Sequence, residues 1–593
     1  MNNSPQLTHY RIDDLPLVLG MLMQMSIPHY YDHEIGDHGL HQGLSGGWMM
    51  TIWLAFILTQ ADHTKYKVED WVARHQLVIE KLTGQPIVAQ QFNDNKLSSL
   101  LSRLCCTKRW ENFEASLWRD SVELYQLCPA SLGQYKSAHV DSTTAYGHHT
   151  ISEGALMQKG HSKDHRPDLA QLKLMTVAFF PSGHLAATEV VNGNRADDGL
   201  YRPIIARARQ MVGEKGVLYC ADVKMAALET RAEIARLGDY YLTVAPLTGQ
   251  IAKLLPTLIE SVISGEQKTE VLTNEEREKV GRGFEFERQL VAKLPREGGQ
   301  LEDFSFTERV QVIQSNSLVE QQKAGLEKRL DRAKVELMEL TPKPKQGQRQ
   351  YQDEESLLEA ITKVMDKHKV KGLLEVKWKL EQNSHYRFVG RGYHSADSPK
   401  QEVIKKRYVI TSVKRDQKAI VEQEKRMGWR VQLSNLPFDI GLNACFHHYR
   451  GNWRGERNYN RLKSEPIGID PLFVQNDDQI RGLTHLLSIA VRVETIIEWQ
   501  VAQGLKREAK QIKGLYAGQP KQATATPTAV AMLQAISRDE ITLTRLDHQG
   551  QSSWFLTQLP DLLLDLLGYL NLPLTLYNGL VSSSVFDFSI SRK

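Results

Sequence analysis

Between residues 137 and 244, short β-branched or apolar runs alternate with segments of helical periodicity, and this order is the strongest constraint on the fold. The turn Pro181-Ser182-Gly183 separates two of the runs and predicts a hairpin. The predicted elements are, in order, strands at Ser137–Tyr146, Met175–Phe180 and His184–Val191, a helix at Leu200–Met211, a strand at Gly216–Ala221, a helix ending at Leu237, and a strand at Asp239–Val244. A chain with this order can form an open α/β sheet.

Two aspartates occupy related positions in this pattern. Asp141 lies inside the first strand, and Asp222 directly follows the fourth. Three strands, a helix, a strand, a helix and a strand are the order of a ribonuclease H-like domain, in which strands one and four are neighbours. Two adjacent carboxylates repel each other unless a proton or a cation lies between them, and Mg²⁺ prefers such oxygen ligands. The alternative is that both aspartates are strand-end caps or turn residues, which strand position alone favours.

Length and composition predict a multidomain globular protein. The 593 residues allow about three or four domains. Hydrophobic residues make up 41% and charged residues 24%, which excludes a wholly disordered chain. Lys and Arg number 74 and Asp and Glu 70, giving a net charge of +4. Any affinity for nucleic acid must therefore come from local basic patches.

The region after residue 250 changes character. Leu326, Leu330, Ala333, Leu337 and Leu340 are spaced four and three apart, which predicts one long amphipathic helix. Apolar and charged residues alternate over 374–380, which predicts a half-buried strand. Residues 401–430 contain nine Lys or Arg against four Asp or Glu. This region therefore predicts a basic, strand-rich insertion.

The predicted fold class is a ribonuclease H-like α/β catalytic core that is interrupted by this β-strand-rich insertion and preceded by a helical N-terminal domain. The predicted domains are 1–125, helical and a candidate DNA-binding domain; 126–250, the first part of the core; 251–435, the insertion with its long helix and basic β-strands; 436–505, the second part of the core; and 506–593, a C-terminal helical region.

The cysteines and the N-terminus bear on location. The five cysteines form no CxxC pair and have no zinc-ligand spacing, which predicts free thiols in a reducing compartment. The first fourteen residues lack the apolar stretch of a signal peptide. The apolar run Trp48–Leu58 is shorter than the about 20 residues that span a bilayer. We therefore expect a cytoplasmic protein with no membrane partner.

A third acidic candidate lies in a basic, aromatic segment. Tyr449, Glu456 and Lys463 are spaced seven and seven, which predicts that they share one face of a helix. Cations neutralise phosphates, and an aromatic ring can stack on an unpaired base. The further candidates for DNA contacts in this segment are Arg450, Trp453 and Arg454. The alternative is a surface helix in which the glutamate forms ordinary ion pairs, and the spacing alone does not decide between the two.

The charged segment 160–173 follows the strand that carries Asp141. Lys163 and Arg166 in this segment are candidates for DNA contacts or for ordering the site. Its position beside the predicted active centre favours such a role. The alternative is an ordinary charged hairpin.

Four segments, in this order, resemble the DDE transposases of bacterial insertion sequences, in the insertion-sequence-four-like group. They are HVDSTTAYGHH at 139–149, GHSKDHRPDLAQLK at 160–173, GVLYCADVKMAALE at 216–229 and YRGNWRGERNYNRLKSEPIGIDPLF at 449–473. The last resembles the YREK-type signature of that group, Tyr-x2-Arg-x3-Glu-x6-Lys. Tyr449, Glu456 and Lys463 are in register with it, and Asn452 stands at the arginine position, so Arg450 or Arg454 is the candidate to replace that arginine.

The resemblance implies a metal-dependent enzyme that acts on DNA. Asp141, Asp222 and Glu456 would be the catalytic residues and would bind two Mg²⁺ per active site, with Mn²⁺ as a substitute. Tyr449 and Lys463 would contact DNA phosphate near the cleaved end. The reaction implied is cleavage at the terminal inverted repeats of a transposon, followed by strand transfer into target DNA by a cut-and-paste route.

The resemblance also implies an assembly and a location. Two transposon ends must be cut in one complex, so we expect a homodimer on the DNA. The expected location is the bacterial cytoplasm, with association to the nucleoid when DNA is bound. Two other functions stay open at this point: a ribonuclease H-like nuclease that only hydrolyses DNA, and a catalytically inactive DNA-binding derivative that acts as a repressor.

Overall fold

The computed structural model describes residues 5–39, 41–296, 299–344, 350–390, 399–451 and 453–581. The chain divides into two units. Unit 1 comprises Met1–Thr243, Gln289–Glu308 and Ser434–Lys593, and unit 2 comprises Val244–Arg288 and Arg309–Leu433. The insertion predicted at 251–435 thus covers most of unit 2, together with a short segment that belongs to unit 1. Within the described ranges, every helix is too short or too polar to cross a lipid bilayer.

The strands are β1 (Gln6–Arg11), β2 (Ser137–Gly147), β3 (Ala170–Phe180), β4 (His184–Asn192), β5 (Leu218–Ala221), β6 (Tyr240–Val244), β7 (Glu270–Thr273), β8 (Lys279–Pro295), β9 (Leu301–Ser315), β10 (Leu374–Phe388), β11 (Lys400–Arg415), β12 (Trp429–Ser434), β13 (Ile512–Lys513), β14 (Ala523–Thr524), β15 (Thr542–His548) and β16 (Gln551–Leu556).

The α-helices are α1 (Leu15–Gln24), α2 (Ile27–Tyr30), α3 (Gly46–Gln60), α4 (Val68–Thr83), α5 (Asp94–Leu104), α6 (Thr107–Tyr125), α7 (Tyr201–Val212), α8 (Leu228–Arg236), α9 (Gly249–Ser264), α10 (Asn316–Glu339), α11 (Glu354–His368), α12 (Gln417–Lys425), α13 (Leu442–Arg450), α14 (Trp453–Lys463), α15 (Asp477–Glu508), α16 (Ala529–Arg538), α17 (Asp561–Tyr569) and α18 (Thr575–Asn578).

The sheet of unit 1 is mixed, and its strands follow the order β4-β3-β2-β5-β6. β2, β3 and β4 pair antiparallel, whereas β5 pairs parallel with both β2 and β6. α7 connects β4 to β5, and α8 connects β5 to β6. All five strands and both helices predicted over residues 137–244 are confirmed, so this part of the chain is an α/β structure with a mixed sheet.

The sheet is covered on both faces. Nearly every residue of β3 and all of β5 are buried, which explains why their sequences are continuous apolar runs rather than alternating ones. In β2, only Asp141 and Tyr146 are not fully buried. The sheet therefore leaves the Asp141 position partly open in a strand that is otherwise closed to solvent.

Helix α15 is the central helix of unit 1. It has 32 residues and is buried along most of its length, and it packs against β4, α3, α5, α14, α16 and α17. The side chain of Asn476 accepts hydrogen bonds from the backbone N–H groups of Asp478 and Gln479, which caps the N-terminus. Lys506 and Arg507 lie in the last turn, where their positive charges interact favourably with the negative end of the helix dipole.

The C-terminal segment differs from the helical region predicted at 506–593. α16, α17 and α18 are present, but β15 and β16 form an antiparallel hairpin, and β1 pairs with β15. The hairpin turns at Gln549 and Gly550, whose φ values of 51° and 79° are typical of a tight two-residue turn. The tertiary pairing of β1 with a strand more than 500 residues away could not be read from local patterns.

Unit 2 contains the predicted amphipathic helix. Leu326, Leu330, Ala333 and Leu337 of α10 are buried in one core with residues of α11 and β11. β10 and β11 form a long antiparallel hairpin that runs from the Leu374–Arg415 pair to the Phe388–Lys400 pair. Part of its basic charge is already neutralised, because Arg415 pairs with Glu327 and Asp331.

A buried ion-pair network joins four elements of unit 1. The Glu114 side chain on α6 is fully buried and pairs with Arg207 on α7 and Arg492 on α15. It also accepts a hydrogen bond of 2.6 Å from the hydroxyl of Thr188 on β4. Because each partner lies in a different element, the network fixes these helices against the edge of the sheet.

We expect Glu114→Ala to lower the free energy of unfolding by about 3–5 kcal/mol, because the buried Arg492 guanidinium loses its counter-charge. Urea unfolding followed by tryptophan fluorescence measures the change. Glu111→Ala on the same helix is the control, since Glu111 pairs with the exposed Lys108 at 3.8 Å, and its effect should stay below about 1 kcal/mol. Equal effects of the two substitutions would contradict a structural role for the network.

Candidate active site

The parallel pairing of β2 with β5 places Asp141 beside Asp222. The register pairs His139 with Cys220 and Val140 with Ala221, and each aspartate is the next residue along its strand. Parallel neighbouring strands lie about 4.8 Å apart, so the two side chains emerge close together. Asp222 also has the alternative role of a strand-end cap, because its carboxylate accepts a hydrogen bond of 3.0 Å from the Lys224 backbone N–H.

The surroundings of Asp141 combine burial with charges of both signs. Burial raises the pKa of Asp141 above its usual range, the ammonium of Lys163 opposes this shift, and the carboxylate of Asp222 adds to it. The Lys163 Nζ lies 3.3 Å from Asp141 Oδ1, and the backbone N–H of Ser142 donates to the same oxygen at 2.7 Å.

Two tyrosines complete this surface, and neither was predicted. The hydroxyl of Tyr201, at the start of α7, donates a hydrogen bond of 2.7 Å to Asp222 Oδ1. The buried hydroxyl of Tyr459 shares a hydrogen bond of 2.7 Å with Thr176, the residue paired with Asp141 across β2 and β3. Burial raises the pKa of both phenols, and the negative charges of Asp141 and Asp222 add to the increase.

Tyr459 shows how α14 is placed over the aspartates. The helix packs against β2, and Asn458 donates a hydrogen bond of 2.7 Å to the carbonyl of Gly183 in the β3–β4 turn. Glu456 lies three residues before Tyr459, so the two share a helix face. Glu456 is exposed and lies in the first turn of α14. The spacing of three to Tyr459 is the signal by which the sequence could have revealed this tyrosine.

The prediction that Tyr449, Glu456 and Lys463 share one face of a helix is wrong. The segment is two helices, with Tyr449 near the end of α13 and the other two residues on α14. α13 ends at Arg450, and a Cβ at the next residue, Gly451, would lie 3.2 Å from the Phe180 ring of β3. Glu456 and Lys463 lie seven residues apart on α14, so the predicted shared face holds for these two residues alone.

Lys463 links α14 to the charged loop that follows β2. Its ammonium pairs with Asp164 and lies 4.0 Å from a carboxylate oxygen of Asp470. Asp164 also accepts a hydrogen bond of 2.7 Å from the hydroxyl of Thr144 on β2. Burial raises the pKa of Asp470 to about 6, and Lys463 opposes this shift. Lys463 therefore holds the loop against the strand that carries Asp141, and its contact with DNA stays a prediction.

The other predicted DNA contacts have different surroundings. Arg166 forms a two-point pair with Asp168, with donor distances of 3.0 and 2.8 Å. Tyr449 is half-buried and packs against an apolar cluster, whereas Arg450 is exposed. Asn452 and the side chains of Trp453 and Arg454 lie outside the described residues. Of the predicted basic residues, only Lys163 directly contacts a predicted catalytic aspartate among the residues described.

The donor set fits a hard divalent cation. Carboxylate oxygens are the ligands that Mg²⁺ prefers, and Asp141 lies where a second positive charge would relieve the repulsion from Asp222. Among the residues that the structure describes, the ligand oxygens of Asp141, Asp222 and Glu456 do not form a group within 4.8 Å of one another. Their convergence into a three-carboxylate site therefore stays a prediction.

A basic groove begins beside α14. It has a volume of about 1130 Å³ and extends along the C-terminal part of α15. Its lining includes Trp499 and the basic residues Arg457, Arg461, Lys506, Arg507 and Lys510. Arg457 and Arg461 both pair with Glu498, at 2.9 and 2.5 Å. Lys510 pairs with Glu508 at 2.7 Å. Lys506 and Arg507, both exposed, are the cations that make the groove suitable for a polyanion.

We expect Lys163→Met to raise the pKa of Asp141, because it removes the ammonium that opposes the effect of burial. Protons then compete with divalent cations at a higher pH. Titration of the protein with Mn²⁺ at several pH values, followed by electron paramagnetic resonance, should show that binding is lost at a higher pH than in the wild type. Lys159→Met, at an exposed position of unit 1, should leave this pH unchanged. A downward shift would remove Lys163 from the site.

The N-terminal segment matches a known family. Residues 7–115 match the family described as a domain of unknown function (DUF4277), which covers most of the predicted N-terminal domain. No curated protein matches this chain. Among solved structures, one described as a cryo-EM structure of the piggyBac transposase synaptic complex with hairpin DNA aligns over 90% of this chain and 82% of that chain, with 7% identity and a TM-score of 0.34. A TM-score this low does not establish a common fold.

Proposed function

We propose that this protein is a metal-dependent DNA transposase that cleaves transposon ends and joins them to target DNA by a cut-and-paste route. The observation that carries the proposal is the register of β2 and β5, which sets Asp141 beside Asp222. The four sequence segments that resemble the DDE transposases of insertion sequences include both aspartates and Glu456. The proposal therefore rests on residues that the resemblance and the geometry select independently.

The strand arrangement supports a ribonuclease H-like core. Three antiparallel strands are followed by two parallel ones, in the order β4-β3-β2-β5-β6, with one helix in each of the last two connections. The acidic residues lie on the first and fourth strands of the chain order. Glu456 then returns on a helix that packs on the first strand, after unit 2 has been inserted.

Asp141, Asp222 and Glu456 would hold two Mg²⁺. Bound metal would activate a water or hydroxyl and stabilise the leaving oxygen of a phosphodiester. The Tyr201 hydroxyl donates a hydrogen bond to Asp222 Oδ1, so Oδ2 is the oxygen that would bind the metal. Lys163 lowers the proton affinity of Asp141, which keeps the carboxylate available as a ligand. Lys463, through Asp164, holds the loop that carries Lys163.

The basic groove would bind the DNA backbone beside this centre. Its lining includes Arg457, the residue after Glu456 on α14, but none of Asp141, Asp222 and Glu456. DNA bound there would contact α14 on the side that faces α15. A homodimer would present two such centres to the two ends of one element. Lys506 and Arg507 also stabilise the end of α15 as a helix, and a purely structural role is therefore the alternative for these two cations.

We expect Asp222→Asn to abolish cleavage and strand transfer while leaving DNA binding within about twofold, because phosphate contacts elsewhere supply most of the affinity. The substrate is linear DNA that carries the sequences flanking the coding region, assayed with Mg²⁺ or Mn²⁺. Glu456→Gln should behave in the same way. Glu153→Gln, an exposed acid of unit 1, should cleave normally.

The products separate the proposal from its alternatives. Cleavage without joined products would indicate a nuclease that only hydrolyses DNA. End binding without cleavage by the wild-type protein would indicate an inactive DNA-binding derivative. Full cleavage by Asp222→Asn would remove this aspartate from the active centre.

We expect the double variant Lys506→Gln and Arg507→Gln to bind DNA more weakly and to reduce the salt slope of binding by about two, because two phosphate contacts are lost. Fluorescence anisotropy over a series of salt concentrations measures the slope. The matched control is Lys136→Gln with Lys215→Gln. These residues lie just before β2 and β5, at the N-terminal ends of the two strands, whereas Asp222 follows the C-terminal end of β5. An unchanged slope in the groove variant would assign Lys506 and Arg507 to helix stability alone.

A further inference from the structure

A second cluster of ligand-type side chains lies behind the aspartates. His139 on β2, Cys220 on β5 and His448 on α13 are all buried, and one ligand atom of each lies within 4.8 Å of the other two. Among the described residues, no other three His, Cys, Asp or Glu side chains have ligand atoms this close together. No local sequence pattern indicates this cluster, because its members are 81 and 228 residues apart along the chain.

The same strand register that joins the aspartates builds this cluster. His139 and Cys220 are direct partners in the parallel pairing of β2 with β5. Each lies two residues before an aspartate, so it projects to the same face of the sheet as Asp141 or Asp222. α13 supplies His448. The rings of His139 and His448 are inclined at 63° with their centroids 6.1 Å apart, so they meet edge to face and are not stacked.

Cys445 offers a fourth ligand. It lies three residues before His448, one turn earlier on the same face of α13. It is fully buried in one apolar cluster with Cys220. Two strand residues and two residues of one helix turn thus supply two sulfurs and two imidazoles.

This donor set has a definite chemical preference. Two cysteines and two histidines are a standard set for tetrahedral Zn²⁺, whose ligand atoms lie about 3.4–3.8 Å apart. The ligand atoms of His139, Cys220 and His448 already lie within 4.8 Å of one another, and Cys445 would complete the set by a movement of its side chain toward them. Mg²⁺ prefers oxygen ligands and does not suit sulfur and nitrogen donors. The cluster therefore differs in kind from the carboxylate site beside it.

Charge balance also favours zinc at this buried position. One Zn²⁺ with two thiolates and two neutral imidazoles has no net charge, so the complex avoids the large cost of a buried charge. The alternative is a metal-free packing cluster, in which His139 stacks on Phe180 at 5.7 Å and His448 meets the same ring edge-on at 5.0 Å.

We propose that His139, Cys220, Cys445 and His448 bind one structural Zn²⁺ that fastens α13 to β2 and β5. The site would fix the helix that carries Tyr449 and leads into α14. It would also tie together the two strands whose ends carry Asp141 and Asp222. The proposal concerns metal binding alone and does not depend on the proposed transposase activity.

The test uses the full-length protein, purified under reducing conditions without a chelator. Elemental analysis should find one zinc per chain, retained in excess Mg²⁺. After removal of zinc, titration with Co²⁺ should give the intense visible bands of a tetrahedral site and a near-ultraviolet thiolate-to-cobalt band. Cys220→Ser and Cys445→Ser should each weaken Co²⁺ binding at least about tenfold and reduce the thiolate band.

Cys128→Ser is the matched control, because Cys128 is also a buried cysteine of unit 1 but lies outside the cluster. It should bind Co²⁺ as the wild type does. Near-ultraviolet circular dichroism checks that each variant folds, and His448→Gln gives a second route that keeps both sulfurs. A wild-type protein without zinc and without a thiolate band would overturn the proposal, as would an unchanged spectrum in Cys220→Ser. Because no DNA is used, failure of DNA cleavage would leave this result standing.

Discussion

The parallel pairing of β2 with β5 is the constraint on which both sites depend. A shift of the register by one residue would move His139 and Asp141 to the other face of the sheet relative to their partners. The existing register instead aligns two pairs in succession, first a histidine with a cysteine and then an aspartate with an aspartate. Under the two proposals above, the buried pair would supply soft metal ligands and the partly open pair would supply hard, solvent-accessible ones. One backbone arrangement thereby separates two kinds of ligand by two residues.

The position of the third acid depends on helices that are far away in sequence. Arg461 on α14 pairs with Glu498 on α15 and donates to Asn458, which in turn holds the β3–β4 turn. α15 is itself fixed by the buried pair of Arg492 with Glu114 on α6. α14, the helix that carries Glu456, is therefore held by a chain of buried polar contacts that reaches the N-terminal helices. The N-terminal segment thus has a structural part in placing α14.

Local patterns predicted the elements of the sheet well, because each strand is short, apolar and bounded by turn residues. They failed where a tertiary contact overrides a local preference. The spacing of Tyr449, Glu456 and Lys463 fits one helix, but the segment forms two helices, α13 and α14. Similarly, the C-terminal hairpin is stabilised by β1, a partner that no window of sequence contains.

Local sequence patterns were sufficient to predict the α/β order of residues 137–244, Asp141 within the first strand and Asp222 directly after the fourth, and they carry the resemblance that singles out Glu456. These features are local, since they depend on periodicity and on residue types at fixed spacing. Only the tertiary structure decided that Tyr201 and Tyr459 border the aspartates, that Lys463 holds the loop through Asp164, and that His139, Cys220 and His448 meet. Each of these contacts joins residues on different elements, and strand register and helix packing, which bring them together, are properties of the whole fold.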